Sequence, residues 1–117
     1  MISLKTIIND GGATLNKSGA PSKLKTGFMV SLPDTEHIIP LEELTEAAFE
    51  YIINSYKELV KNSKNYIGCW IDDDKLYIDR SVNIKDKSKA LAIATEYKQL
   101  AIFDIMDMDS IYLEGIK

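Results

Sequence analysis

Tyr66-Ile67-Gly68-Cys69-Trp70-Ile71-Asp72-Asp73-Asp74-Lys75-Leu76-Tyr77-Ile78-Asp79 is the stretch that decides the fold. Two runs of alternating apolar residues, Tyr66 to Ile71 and Leu76 to Asp79, flank a short acidic segment, the pattern of a β-hairpin. With Asp73 and Asp74 as the two turn residues, Ile71 faces Leu76, Trp70 faces Tyr77 and Cys69 faces Ile78. Ile67, Cys69, Ile71, Leu76 and Ile78 then share one face, and Trp70 and Tyr77 share the other. A single register satisfies both strands, as expected where one face is buried.

Helices flank this hairpin on both sides. Before it, Phe49, Ile52, Ile53, Tyr56 and Val60 recur at three- and four-residue steps, predicting a helix over Thr45 to Lys61 with Thr45 as its cap. After it, Ala90, Ile93, Ala94 and Tyr97 form the stripe of a helix over Lys87 to Leu100, capped by Asp86. A short helix over Ser3 to Asn9 ends at Gly11-Gly12, since glycine takes the left-handed cap conformation at little cost. Short strands are expected at Ala13 to Leu15, Gly27 to Leu32, Ala101 to Ile105 and Ile111 to Leu113, with polar loops at Asn16 to Thr26 and around His37. Paired strands separated by long helices predict an α+β domain. Its sheet is antiparallel or mixed, of about five to six short strands, with two main helices packed on one face. A doubly wound parallel sheet would need a helix between successive strands.

The chain has 117 residues, the size of one domain, and no repeat or low-complexity tract divides it. Its 45% apolar and 27% charged residues are ordinary for a protein with its own core. One cysteine, Cys69, rules out an intrachain disulfide and fits a reducing compartment. The first ten residues are too polar for a signal peptide, and no apolar run approaches the length of a membrane span, so the cytoplasm is the expected location. A net charge of −4 argues against direct nucleic-acid binding, which draws its affinity from basic patches. Lys17, Lys23 and Lys25 form the one basic cluster.

The residues give no positive support to catalysis. Cys69 and His37 are the only members of a Cys–His pair the chain could form, and Cys69 sits mid-strand on the core face, where thiols are unreactive. Asp72-Asp73-Asp74 lacks the alternating ligands, glycine and distal glutamate of a calcium loop. Asp104, Asp107 and Asp109 suit a turn, and one Cys with one His cannot complete a structural zinc site. No metal and no cofactor are expected. Gly11-Gly12 has neither the further glycines nor the lysine of a phosphate-binding loop.

Contact surfaces are left as the candidates. One is the aromatic face of the hairpin, Tyr66, Trp70 and Tyr77, which either anchors a partner or is covered by the N-terminal segment or a second copy in a homodimer. The other is acidic: Glu42, Glu43, Glu46 and Glu50 around the entry to the long helix, with Asp72, Asp73 and Asp74 at the hairpin tip. Such carboxylates either mimic phosphates toward a basic protein or form a solvated face favoured by the helix dipole.

The strings Gly11-Gly12-Ala13-Thr14-Leu15, Gly27-Phe28-Met29-Val30-Ser31-Leu32, Tyr66-Ile67-Gly68-Cys69-Trp70-Ile71, Tyr77-Ile78-Asp79 and Gln99-Leu100-Ala101-Ile102-Phe103-Asp104 span most of the chain. They resemble a group of short proteins from bacteriophages and integrative elements of low-GC Gram-positive bacteria. The resemblance implies no catalytic residues. It implies a context, in which small accessory proteins inhibit host defence systems, anti-CRISPR proteins among them. The leading expectation is a stoichiometric inhibitor of a host protein with a basic surface, such as a CRISPR nuclease. A module that sequesters a nucleotide signal between aromatic rings is the second, and an enzyme with an unrecognised site the third.

Overall fold

The hairpin forms in the register that its apolar face dictates. Strand β4 (Tyr66–Asp72) pairs with β5 (Lys75–Ile84) so that Cys69 meets Ile78, Trp70 meets Tyr77 and Ile71 meets Leu76. Asp73 and Asp74 supply the turn with φ of 51° and 57°. Both central residues thus have positive φ, as a two-residue type I′ connection requires, and aspartate tolerates that region better than most side chains. The structure, a computed structural model, describes residues 2–33 and 35–113.

Around this pair the described elements run α1 (Leu4–Asp10), β1 (Gly12–Leu15), β2 (Phe28–Ser31), β3 (His37–Pro40), a short 3-10 turn (Leu41–Glu43), α2 (Glu46–Val60), β4, β5, α3 (Lys87–Glu96), β6 (Ala101–Asp104) and β7 (Asp109–Tyr112). All strand pairs are antiparallel, in the order β1-β4-β5-β2-β6-β7, with β3 also on β5. The α+β class holds, and the sheet is antiparallel throughout.

Among the strands, β3 and β5 differ most from the expectation. His37, read as loop, opens β3 instead. β5 continues beyond Asp79 to Ile84, and this length lets one strand serve two partners on the same edge: β2 pairs with Ser81 to Ile84 and β3 with Lys75 to Ile78. Residues 32–36 connect β2 to β3 while only Asp79 and Arg80 lie between the paired stretches of β5. Relative to β5 the connection is a bulge of three additional residues. Thr35 pins it, donating its hydroxyl to the Leu32 carbonyl at 2.9 Å and accepting from the Arg80 amide at 3.2 Å.

The helices cover two apolar clusters. Leu4, Ile7, Phe49, Ile53, Tyr56 and Val60 pack α1 and α2 on Leu15, Ile67, Cys69, Leu76 and Ile78. Ala90 and Ala94 pack α3 on Val30 and Ile102, with Val82 and Ile84 alongside. Leu76, Ile78, Val82 and Ile84 have one parity along β5, so both clusters draw on the same side of that strand. Trp70, Tyr77, Asp79 and Ser81 have the other parity.

Helix α1 has only seven residues, too few to hold itself, and is fixed at its start by two caps. Ser3 Oγ accepts from the Thr6 amide, and Glu46, in the first turn of α2, reaches across to accept from the Leu4 and Lys5 amides at 2.8 and 3.1 Å. Glu46→Ala is expected to lower stability by about 1–2 kcal/mol, the scale of a lost charged cap. Hydrogen exchange at the Leu4 and Lys5 amides should accelerate with it, and unchanged exchange there would show that the carboxylate does not hold the helix.

Candidate functional site

The first question is whether any reactive group stands ready for chemistry. Cys69 and His37 both pair with Ile78, from opposite sides, so a full strand lies between them. At the spacing of adjacent strands their backbones are about 10 Å apart, too far for proton transfer. Cys69 is buried, and that burial, with the nearby Asp79 charge, pushes its thiol well above the usual range. His37 Nδ1 lies 3.1 Å from the Tyr56 hydroxyl, which donates to the Thr35 carbonyl at 2.5 Å and also lies 3.1 Å from the Ile78 carbonyl. Burial and the neighbouring acids raise the Tyr56 phenol to about 12, so it serves as a neutral strut between α2 and the bulge.

A buried polar group that the sequence did not single out lies on the opposite parity of β5. Asp79 is 3% exposed, and burial lifts its carboxyl to about 7 against the lowering effect of a 2.8 Å hydrogen bond from Ser31 Oγ; the Glu36 charge adds to the rise. Its Oδ1 makes no hydrogen bond among the described residues, nor does the buried Ser81 Oγ. Oδ1 lies over Gly68, where a Cβ would come within 2.5 Å of it. The signal for this group was Gly68 itself: a glycine inside a strand marks the close approach of a neighbour. Here the neighbour is the carboxylate of the residue paired with it.

The same parity carries the aromatic face. Trp70 and Tyr77 stack with ring centroids 4.9 Å apart. Trp70 is 39% exposed, and Ile38, paired with Tyr77 from β3, is 50% exposed. Ile38, Tyr77 and Trp70 therefore form a row across three adjacent strands, open to solvent at both ends. Tyr66 lies at the far end of β4, opposite Ser81, and is not part of the row.

The acidic residues are redistributed by the fold. The Leu41 amide donates to the Asp74 carbonyl at 3.0 Å, and Pro40 pairs with Lys75. These contacts bring Glu42 and Glu43 to the hairpin tip, beside Asp72, Asp73 and Asp74, all exposed. Lys75 is the cation among them, 3.9 Å from Asp73. Glu46 is withdrawn to the α1 cap, and Glu50 stands on the exposed flank of α2 next to Ile2 and Ser3. Five carboxylates from segments about thirty positions apart thus meet at one end of the sheet, adjoining the Ile38–Tyr77–Trp70 row. Among the described residues, no group of three or more His, Cys, Asp or Glu side chains is arranged to hold a metal ion, and no helix is long and apolar enough to cross a membrane.

No family model, curated protein or solved structure matches the chain.

Proposed function

We propose that the protein acts by stoichiometric binding, docking the hairpin end of its sheet on a partner protein with a basic surface. The observation that carries this reading is the meeting of Glu42 and Glu43 with Asp72 to Asp74 beside an exposed Ile38–Tyr77–Trp70 row. Stacked aromatic rings supply contact area at small entropic cost, and surrounding carboxylates supply steering and orientation toward a cationic surface. The resemblance to short phage and mobile-element proteins supplies the biological context. A host defence protein whose basic channel ordinarily holds nucleic acid, such as a CRISPR nuclease, is the partner class that fits both.

The test pairs two variants with capture of the partner from a low-GC Gram-positive host lysate. Asp73→Asn with Asp74→Asn removes two charges while keeping side chains suited to positive φ, so the turn survives. Affinity should fall about tenfold and its salt dependence should weaken. Trp70→Ser with Tyr77→Ser should weaken binding about thirtyfold or more, the scale of an aromatic hot spot, with the far-UV circular dichroism retained. A complex that tolerates both pairs of changes forms through some other surface, and this reading is then wrong.

A further inference from the structure

We infer that the cleft between the loop after β1 and the loop after α2 binds a small phosphorylated ligand with a planar ring, a mononucleotide in chemical class. This inference is independent of the docking surface. The cleft is shallow and open, with a volume of about 600 Å³. It is lined by Asn16, Lys17 and Ser18 from one loop and by Ser63, Lys64, Asn65 and Tyr66 from the other. No carboxylate among the described residues lines it, in a chain whose net charge is −4.

The hydrogen-bond inventory of the walls gives the polarity of the ligand. Asn16 Oδ1 is consumed, accepting from the Ser18 amide at 2.9 Å, the Ser18 hydroxyl at 2.6 Å and the Ala20 amide at 3.3 Å. Asn65 Oδ1 is consumed as well, accepting from Arg80 Nη2 at 2.8 Å. Arg80 is the chain's one arginine, and this bond fixes which way the Asn65 amide faces. Ser63 Oγ is engaged twice, donating to the Val60 carbonyl and accepting from the Asn65 amide. Among the described residues neither asparagine's Nδ2 makes a hydrogen bond, and Lys17 and Lys64 form no ion pair. The free donors at the walls are thus two amide groups and two ammonium groups, a set that matches phosphate oxygens, while both asparagine carbonyls are already taken. Tyr66, half-buried, is the aromatic residue of the lining and the candidate to stack on a base.

Titration of the full chain with adenosine monophosphate, inorganic phosphate and adenosine in separate arms, followed by amide chemical shifts, tests the assignment. With the nucleotide at about 1 mM, the amides of residues 16–18 and 63–66 are expected to shift, with weaker responses to phosphate and to adenosine alone. Lys17→Ala with Lys64→Ala, both at exposed positions, should weaken nucleotide binding about tenfold or more. Absence of shifts in these two loops, or binding that survives the double variant, overturns the site. Inorganic phosphate binding as tightly as the nucleotide overturns the planar-ring assignment. The docking variants at Asp73, Asp74, Trp70 and Tyr77 leave this cleft intact, so the two readings fail separately.

Discussion

Tyr56→Ala is expected to destabilise the protein by about 3–5 kcal/mol, the range for deleting a fully buried aromatic ring. Tyr56 is 2% exposed and occupies the middle of the α2 stripe, between Ile53 and Val60 and against Ile78. Its loss opens a void beneath the centre of β5 and cuts the tie from α2 to the β2–β3 bulge. Since the whole stability of a domain is about 5–15 kcal/mol, much of the population should unfold in mild denaturant. Tyr56→Phe separates the two contributions. It keeps the ring and removes only the hydroxyl that meets Thr35, His37 and Ile78, so it should cost about 1–3 kcal/mol. Urea midpoints with unchanged slopes would report both effects. A phenylalanine variant as stable as the parent would show that the hydroxyl network contributes nothing to the bulge.

How much of this arrangement was legible depends on how local its causes are. The β4–β5 register was readable because five apolar residues fall on one face under only one alignment, with two aspartates at the positions that take positive φ. The helix caps at Ser3, Thr45 and Asp86 were readable for the same reason: each acts within three residues. The end of α3 was not. The pattern predicts a helix to Leu100, but it stops at Glu96 in a Schellman motif, with the Gln99 amide on the Ala94 carbonyl and the Lys98 amide on the Thr95 carbonyl. The left-handed residue there is Lys98, φ 58°, so no glycine announces the stop.

Strand β3 was hidden by its partner. His37 to Pro40 is short and bounded by prolines, and it becomes a strand through pairing with β5, nearly forty residues away. Pro40 is tolerated because it lies at the strand's end, where no further ladder donor is needed. The extension of β5 was hidden by polarity: the apolar alternation stops at Ile78 and the polar Asp79, Arg80 and Ser81 follow, yet Asp79 and Ser81 are buried. The candidate surfaces follow the same rule. The Trp70–Tyr77 pair was legible from the hairpin alone. Its neighbour Ile38, the union of Glu42 and Glu43 with the hairpin tip, and the donor-lined cleft all depend on long-range contacts that no spacing encodes.

Stability should fall as pH rises from about 4 to 7, and Asp79→Asn should abolish most of that slope. Burial holds the Asp79 carboxyl at about 7 in the folded chain, against an ordinary value of 3.8. Between those values the folded state binds more protons than the unfolded state, so each step up in pH favours unfolding. Below pH 4 both states are protonated and the group makes no difference. Above about pH 7 both are ionised and the full loss is reached, roughly 4 kcal/mol from a rise of about three pKa units. The direction is opposite to that of a salt-bridged carboxylate, which stabilises as it ionises. Its cause is specific: one oxygen has Ser31, while the other is packed on Gly68 without a donor among the described residues. Asparagine fits the same space and its oxygen can still accept from Ser31, but it carries no charge to bury, so the variant should be more stable than the parent above pH 7 and similar near pH 4. Urea unfolding across that range checks both ends. A parent chain whose stability is flat from pH 4 to 8 would mean that the carboxylate finds solvent or a donor in solution, and that the closed packing over Gly68 opens when it ionises.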